Sequence, residues 1–406
     1  MSTGGTVSAG GAVSAGGAVS TAGSAGDLTD WPDPPYMPGS QATTFQIDAA
    51  HDGAQLGDAL TLPLRRRWAR VLDASVTPDK ISYPVVADGK VFVTMLGTTT
   101  PLLALDEASG ATLWGPVPTD ASDSQPLPAY ALGRVFVSSH DAYLRAFDAA
   151  TGSLLWTTQL PNQLATSSPP TVVGRRVFVS ASGFDGTLYA VAGSDGSVLW
   201  TANVNGGAGC SPLVTDSAVF VSYGCVEASS FEPASGRPLW HHDGDERCGP
   251  GSGDTMALLG SALYARSPAF GSTLLDPASG KPGGSFSSTT IPAGNRSMVF
   301  TVENEQLVAR PLGVNEAPAW TYSAIRVTSA PLVVGDTVVV GGGTLGPGGT
   351  AGLIAVLDAK SGSVLSSDTL PAPVSETRES DAQVLSGMAE ANNHLYFTAG
   401  NVLYAY

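Results

Sequence analysis

Two eleven-residue stretches, ALDEASGATLW at 104–114 and AFDAATGSLLW at 146–156, decide the fold of this chain. Both have Asp at the third position, Gly at the seventh and Trp at the last. An Asp side chain can bond its own backbone two residues on, and Gly supplies positive φ, so this segment predicts a tight turn between two strands. The Trp follows that turn on the outer strand, where its large ring can cover the joint between neighbouring units.

The same pattern recurs along the chain in weaker copies. These read AVAGSDGSVLW at 190–200, SFEPASGRPLW at 230–240, LLDPASGKPGG at 274–284 and VLDAKSGSVLS at 356–366. The last position of the pattern, called here the Trp slot, is occupied in chain order by Trp68, Trp114, Trp156, Trp200, Trp240, Gly284, Trp320 and Ser366. Successive slots are separated by about 43 residues on average, and a period of roughly 40–45 residues is typical of a β-propeller blade.

The repeat predicts an all-β, eight-bladed β-propeller of four-stranded antiparallel blades over 41–406. The segment after 388 offers strands for only part of an eighth blade, and the strand near 67–72 has no partner in its own neighbourhood. We expect this N-terminal strand to complete the last blade. Closure of the ring removes the exposed sheet edges that would otherwise invite aggregation.

The composition agrees with short strands joined by turns and limits the classes of partner. The chain has 49 Gly and 29 Pro, which disfavour long helices. Acidic residues outnumber basic ones 35 to 19, so the formal charge of −16 argues against nucleic acid and against anionic membrane surfaces. There is no apolar run of about 18 residues, so no membrane-spanning segment is expected.

The first 40 residues differ from the rest in composition. Residues 1–26 are almost entirely Gly, Ala, Ser, Thr and Val, and 27–40 hold four prolines (DLTDWPDPPYMPGS). We predict a disordered tail and an extended linker. The tail lacks the basic start and the uninterrupted apolar region of an export signal. It is therefore interpreted either as a flexible stalk or as a low-complexity leader without function, and it leaves the compartment open.

The three cysteines fall on one rim of the predicted ring. In a blade, the second strand ends on the rim where the outer strand leads into the next inner strand, and this places Cys210, Cys225 and Cys248 close together. A disulfide needs Cα atoms about 5.5 Å apart, so two of these neighbouring cysteines could form one. We favour a Cys225–Cys248 disulfide, with Cys210 in the alternative pairing. The other interpretation is three free thiols in a cytosolic protein.

The same rim carries the candidate ligand-binding residues. They are His140, Asp141, Tyr223, His241, His242 and Asp243. An acidic loop with imidazoles is suited to a ligand or a weak metal site, although a surface His pair is more often simply solvated, and we assign no metal ligands and no catalytic residues. Six tryptophans have a structural role in the repeat instead: Trp68, Trp114, Trp156, Trp200, Trp240 and Trp320.

The repeat resembles the tryptophan-docking motif of pyrroloquinoline-quinone-like (PQQ-like) propellers, over about 45–406. That family includes quinoprotein dehydrogenases and cofactor-free members, among them a periplasmic lipoprotein scaffold for outer-membrane protein assembly and many secreted bacterial proteins of unknown role. The stretch GAGCSP…VSYGC…RCGPGSG looks most like the uncharacterised bacterial members. The resemblance is specific for the fold and leaves the function open.

The resemblance implies two functions. A quinone dehydrogenase of this family commonly has two adjacent cysteines over the cofactor and a Ca²⁺ held by a carboxylate and an amide, and none of these residues can be matched here. We therefore expect a non-catalytic, monomeric, exported or cell-surface module without a cofactor, which binds a protein, peptide or glycan. The alternative is a PQQ- and calcium-dependent dehydrogenase of alcohols or sugars.

Overall fold

The structure is a computed structural model, and it describes most of the chain after residue 38. The described residues are 39–72, 80–96, 101–119, 126–183, 186–204, 206, 209–244, 253–267, 271–313, 317–345, 350–379 and 385–406. The predicted tail and nearly all of the Pro-rich linker lie outside these residues, so the disorder stays a prediction. In the described part, no helix is long and apolar enough to span a membrane.

The described strands form eight antiparallel sheets, each built on the four-stranded meander of a propeller blade, as predicted. In each blade the chain runs from the innermost strand outwards. Blades 1 to 4 consist of Val85–Ala87, Lys90–Thr94, Pro101–Asp106 and Thr112–Pro118; Leu127–Ala131, Arg134–Ser139, Tyr143–Asp148 and Leu154–Gln159; Thr171–Val173, Arg176–Gly183, Gly186–Ala192 and Val198–Val204; and Leu213–Val214, Val219–Tyr223, Glu227–Phe231 and Pro238–His242.

Blades 5 to 8 follow the same plan, and two sheets gain short additional strands. Blades 5 to 8 consist of Ala257–Leu259, Ala262–Ala265, Ser272–Leu275 and Pro282–Phe286; Ala293–Gly294, Met298–Glu303, Gln306–Pro311 and Trp320–Tyr322; Leu332–Val334, Thr337–Thr344, Gly352–Asp358 and Val364–Leu370; and Met388–Ala391, His394–Ala399, Val402–Ala405 and Trp68–Val71. The additional strands are Gln163–Ala165 on blade 3, and Ile325–Val327 and Ala54–Gln55 on blade 7. A short 3-10 turn covers Gly224–Val226 in blade 4.

The predicted closure of the ring is confirmed. The N-terminal strand Trp68–Val71 pairs antiparallel with Val402–Ala405, and Trp68 lies opposite Ala405. The outer strand of blade 8 therefore comes from the start of the propeller and its three inner strands come from the end. The first and last strands of the propeller are hydrogen-bonded in one sheet, so the strand Val402–Ala405 is not left as an unpaired sheet edge.

A rung of side chains that ends on a slot Trp crosses six of the eight blades. In blade 2, Phe136, Ala146 and Trp156 lie opposite one another on adjacent strands, with the rings of Phe136 and Trp156 5.9 Å apart. The small middle residue leaves room for both rings. Equivalent rungs are Phe92–Ala104–Trp114, Phe178–Ala190–Trp200, Phe220–Ser230–Trp240, Phe300–Ala309–Trp320 and Tyr396–Ala405–Trp68.

Each indole also joins its blade to the next one. Trp240 of blade 4 donates its Nε1–H to the carbonyl of Pro277 in blade 5, at 2.8 Å. Its ring covers Gly280, whose φ of +68° suits glycine, and a Cβ there would lie 2.4 Å from Trp240 Cε3. The other indole–carbonyl pairs are Trp68–Glu107, Trp114–Ala149, Trp156–Gly193, Trp200–Pro233 and Trp320–Ala359.

The two slots without Trp precede blades whose sequence lacks the Ser-Gly or Thr-Gly pair of the turn on which an indole rests. Gly284 precedes blade 6, whose segment 311–319 contains no Ser-Gly or Thr-Gly pair. Ser366 precedes blade 8, where the ends of the ring meet and no turn joins the two outer strands. Its hydroxyl instead accepts the backbone N–H of Leu64, at 2.8 Å. An indole and its turn are therefore lost together, because neither packs well without the other.

Two glycines with the same backbone conformation allow the contribution of the indole contact to stability to be measured apart from that of backbone strain. Gly89 has φ +70° and open space around it, whereas Gly280 has φ +68° and lies under Trp240. We expect Gly89→Ala to cost about 1–2 kcal/mol from the left-handed backbone alone. Gly280→Ala should cost a further ~1–3 kcal/mol from overpacking against the indole. Urea unfolding of both variants measures the difference, and equal losses would show that the ring contact contributes nothing.

Candidate functional site

An N-terminal segment lines the central channel on the face where inner strands turn into second strands. Residues 42–55, called here the belt, contact the innermost strands of the blades in order. At its start, Ala42 and Val86 of blade 1 exchange two backbone hydrogen bonds, of 2.9 and 2.8 Å. The belt carbonyls of Thr43, Ala49, Ala50, Asp52 and Gly53 then accept N–H groups of blades 2, 4, 5, 6 and 7, from Tyr130, Val214, Leu258, Gly294 and Val333.

Side chains of the belt complete the circuit. The Thr44 hydroxyl donates to the carbonyl of Pro170, at the start of blade 3, at 2.8 Å. The Gln55 amide donates to the carbonyl of Glu390 in blade 8, at 3.4 Å. The belt therefore touches all eight blades. The repeat predicts a propeller over 41–406 but not this course, because the belt is outside the repeat.

His51 is a structural residue of the belt. It is fully buried, with Nδ1 2.7 Å from the carbonyl oxygen of Phe45 and Nε2 3.2 Å from that of Pro212. Burial lowers the pKa of His51, so the neutral imidazole is favoured and donates its single N–H to one of these two carbonyls. The imidazole thus links the belt to blade 4.

A buried ion pair lies on the opposite face of the channel. Arg266 directly follows the second strand of blade 5, and its guanidinium donates to Glu379 and, at 2.9 Å each, to Asp254 and the carbonyl of Thr289. Glu379 also accepts the backbone N–H of Thr255, at 2.8 Å. Burial raises the pKa of Glu379 to about 7, against the opposing effect of the Arg266 charge.

Glu379 belongs to the connection from blade 7 to blade 8, yet its carboxylate lies in blade 5. Residues 374–379 are held on the way by Ser375, which donates its N–H to Thr398, and by Thr377, which donates its N–H to Thr328. Arg266 replaces a hydroxyl, since the equivalent residues of five other blades are Thr94, Ser138, Ser180, Ser222 and Thr398. This break in the repeat is the signal by which Arg266 could have been found. Glu379, outside the repeat, carries no such signal.

Cys210 and Tyr223 lie next to each other beside this ion pair. Tyr223 is only 2% exposed and therefore contacts the interior rather than solvent. Burial raises the pKa of the Cys210 thiol to about 11 and raises that of Tyr223 well above its usual range. Cys210 is a free, buried thiol, and this pKa disfavours the reactive thiolate.

The preferred disulfide is not tested by the structure. Cys248 and the side chain of Cys225 lie outside the described residues, so the Cys225–Cys248 bridge stays a prediction. In the described part, Cys210 takes no part in a bridge. The alternative pairing through Cys210 therefore finds no support in this arrangement.

The remaining candidate residues lie on two separate blades of the same rim. His140 and Asp141 form the turn after the second strand of blade 2, where Asp141 binds the Arg145 guanidinium at 2.9 Å and accepts the Ser139 hydroxyl. Arg145 also lies over the Tyr143 ring, 4.9 Å from its centre. These contacts stay within blade 2, so Asp141 has a structural role in its own turn.

The second group lies at the end of blade 4. His241 is exposed, with Nε2 3.1 Å from Asp243 and 3.5 Å from Glu227, while Nδ1 is 2.9 Å from the Ser229 hydroxyl. His242 is half-buried, and burial lowers its pKa. Across the part of the chain that the structure describes, no group of three or more His, Cys, Asp or Glu side chains is placed to hold a metal ion. A ligand at this rim stays a prediction.

The fold and the channel define a closed, eight-bladed propeller whose blades are joined by indoles, which is the PQQ-like class. A family profile described as outer membrane protein assembly factor BamB matches 100–201 and 165–312, more than half of the chain. The chain therefore belongs to this PQQ-like β-propeller family. The outer membrane protein assembly factor BamB of Shewanella oneidensis strain MR-1 is 25% identical over 220 residues. This match covers 52% of the chain and 50% of that protein, about half the length of each.

Solved structures of a dehydrogenase and of a BamB protein share the fold. The quinohemoprotein alcohol dehydrogenase of Comamonas testosteroni superposes with a TM-score of 0.68 at 13% identity, covering 90% of this chain and 80% of its own. BamB of Moraxella catarrhalis superposes with a TM-score of 0.62 at 17% identity, covering 84% of this chain and 99% of its own. These likenesses concern the fold alone, because one propeller fold carries unrelated functions.

The described channel fits a quinone and calcium poorly. The six slot tryptophans lie between blades with their indole N–H groups bonded to the next blade, so none of them is free to stack on a cofactor in the channel. The belt covers one face of the channel. On the other face the Glu379 carboxylate is engaged by Arg266 and a backbone N–H, which leaves it poorly placed as a calcium ligand.

The ion pair predicts a non-additive pair of variants. Arg266→Ser restores the hydroxyl of the repeat but leaves Glu379 buried without its counter-charge, and this should cost ~3–5 kcal/mol of stability. Adding Glu379→Gln removes the uncompensated charge, so the double variant should regain part of the loss. Urea unfolding of the two single variants and the double variant tests the coupling. Losses that simply add would contradict it.

Glu390 predicts a pH effect where the belt meets blade 8. Its side chain is fully buried, and burial, followed by the charge of Asp58, raises its pKa to about 9 from 4.5. Unfolding therefore releases a proton between these two values, and the contribution of Glu390 to stability falls as the pH rises through that window. Glu390→Gln should melt above the wild type by a margin that grows from about pH 5 to pH 9.

The exposed Glu376 provides the control. Its carboxylate pairs with Arg378 at the surface, with about half of each side chain exposed. Glu376→Gln should show no such growing margin, because an exposed pair contributes little. A constant difference in Tm between Glu390→Gln and the wild type across the same pH range would show that Glu390 is ionised in the folded protein.

Proposed function

We propose that this protein is a non-catalytic binding scaffold that acts outside the cytoplasm, in the periplasm or at the cell surface, and that its partner is a protein. Membership of the family described as outer membrane protein assembly factor BamB supports this assignment. Because the match to the Shewanella protein covers only about half of either chain, assembly of outer-membrane proteins is the class of process we propose, with no particular partner.

The observation that carries the proposal is the occupation of the channel by the protein's own chain. The belt bonds to every blade on one face, and Glu379 is bonded to Arg266 and Thr255 on the other. A propeller enzyme needs access to a reacting group in its channel. A propeller whose channel-facing residues are bonded to one another in this way presents its rims and outer strands instead, and these are surfaces for a macromolecular partner.

We place the binding surface on the rim that carries His140 and His241. On blade 4, His241 is half exposed between Glu227 and Asp243, and the Asp243 side chain is 93% exposed. With a formal charge of −16 for the chain, this rim favours a partner segment rich in Lys or Arg. A protein or peptide meets this requirement, whereas no observation on this rim favours the glycan expected from the sequence.

The dehydrogenase is the second candidate, supported by the alcohol dehydrogenase fold neighbour. It requires a quinone in the channel, where the described residues fit one poorly. Any ligand that binds the folded chain raises its Tm by mass action. For the scaffold we therefore expect no shift of Tm with pyrroloquinoline quinone plus Ca²⁺ and no dye-linked oxidation of alcohols. A saturable shift together with oxidation would establish the dehydrogenase instead.

The scaffold is tested by charge reversal on two faces. Immobilised protein is incubated with a detergent extract of envelope membranes from the source cells, and captured proteins are identified by mass spectrometry and then purified for titration. We expect Asp243→Lys to weaken binding of the identified partner by about tenfold, since like charges across an interface repel. Equal affinity for Asp243→Lys and the wild type would exclude this rim.

The matched control reverses an acidic residue on the other face. Asp216 lies in the exposed turn after the inner strand of the same blade, on the side of the belt. Asp216→Lys should leave the affinity unchanged. An equal loss in both variants would point to the net charge of the ring rather than to the rim.

A further inference from the structure

A cavity opens between blades 5 and 6, where the chain of interblade indoles is interrupted. Its volume is about 270 Å³. The side of blade 5 contributes Tyr264, Leu274 and Phe286, and the side of blade 6 contributes Val299, Thr301 and Arg310. Ser285 and Ser287 lie at its mouth and are exposed, so the cavity can be reached from solvent.

The cavity occupies the place that an indole fills at other joints. Gly284 lies opposite Leu274, in the register that pairs Trp240 with Ser230 one blade earlier. The Phe286 ring, two residues further along the strand, packs edge-on against Tyr264 at 5.0 Å and takes over only part of that space. The space that remains is lined by aromatic rings on one side and is left unfilled by the residues that the structure describes.

On the facing side of blade 6, polar residues occupy positions that are apolar in most other blades, and packing alone does not explain this difference. Arg310 stands where the equivalent residues of six of the seven other repeats are apolar: Leu105, Phe147, Val191, Phe231, Leu275 and Leu357. Thr301 likewise replaces Val93, Val137, Val179, Val221 and Val340. The Arg310 guanidinium donates two hydrogen bonds to the Glu303 carboxylate, of which the one from Nη2 to Oε2 is 3.1 Å long. It also donates to the Thr301 hydroxyl, at 3.3 Å. A wall meant only to replace the lost indole would have stayed apolar.

We propose that this cavity binds one aromatic ring of about indole size that carries an N–H or O–H group and comes from outside the chain. Tyr264 and Phe286 supply stacking surfaces. The Arg310 guanidinium, with its charge balanced by Glu303, lies where it can face the ring as a cation–π partner. The Thr301 hydroxyl already donates to Glu303, at 2.7 Å, so Ser285 and Ser287 at the mouth supply the hydrogen-bonding groups for the polar edge of the ring.

The same chemistry is available from two sources, a free small aromatic molecule or a Trp or Tyr side chain of a polypeptide. The site is on the outer part of the ring and needs neither the channel nor the proposed rim. It therefore stands or falls independently of the scaffold function.

The test uses two probes, indole and N-acetyl-tryptophanamide, each titrated into the full-length protein by calorimetry with saturation-transfer NMR as a second readout. We expect saturable binding of both. Stronger binding of N-acetyl-tryptophanamide points to a polypeptide source, and stronger binding of indole points to a small molecule. Absence of saturable binding of either probe overturns the proposal.

Gly284→Trp places the chain's own indole in the cavity and should abolish binding of both probes. The matched control is Gly283→Trp, because Gly283 is exposed with open space around it and its substitution leaves the cavity unchanged. Should Gly284→Trp fail to fold, Phe286→Ala removes one wall instead and should weaken binding by about tenfold. Unchanged affinity in Gly284→Trp, or in Phe286→Ala where that variant replaces it, refutes this location.

Discussion

The ring depends on one contact between neighbouring blades, in which an indole lies on a glycine turn and donates its N–H to a carbonyl of that turn. The contact is specific on both sides. The turn needs glycine because its φ is positive and because a Cβ would enter the ring, as at Gly280 under Trp240. In a repeat protein, stability is approximately the sum of the stabilities of single repeats and of the interfaces between neighbouring repeats. This contact contributes to the interface part at six of the eight joints.

Departures from this contact identify the two joints where the ring is different. Between blades 7 and 8, the ends of the ring meet, and the Ser366 hydroxyl binds the chain just before the closing strand. Between blades 5 and 6, Gly284 leaves a cavity, and Arg310 and Thr301 have replaced apolar residues around it. The first departure is explained by closure alone. The second coincides with the missing Ser-Gly or Thr-Gly pair in blade 6, and the polar Arg310 and Thr301 beside the space are the basis of the proposed binding site.

The channel departs from the repeat in another way. Its belt-covered face is bonded to the inner strand of every blade, and its opposite face carries the Arg266–Glu379 pair beside the buried Cys210 and Tyr223. Arg266 and Glu379 bind each other, and Cys210 and Tyr223 are buried beside them, which is the arrangement of a structural core. The surfaces left for function are then the rims, the outer strands and the joint between blades 5 and 6.

The all-β class, the eight blades and the closure by the strand at Trp68 are written in the sequence, because each follows from a local period that is read residue by residue. The same period marks Gly284 and Ser366 as slots without Trp. The course of the belt, the pairing of Arg266 with Glu379 and the burial of Tyr223 are visible only in the folded chain. These contacts join residues that are 100 or more positions apart or outside the repeat. Burial and partner are properties of that three-dimensional arrangement, and no local pattern encodes them.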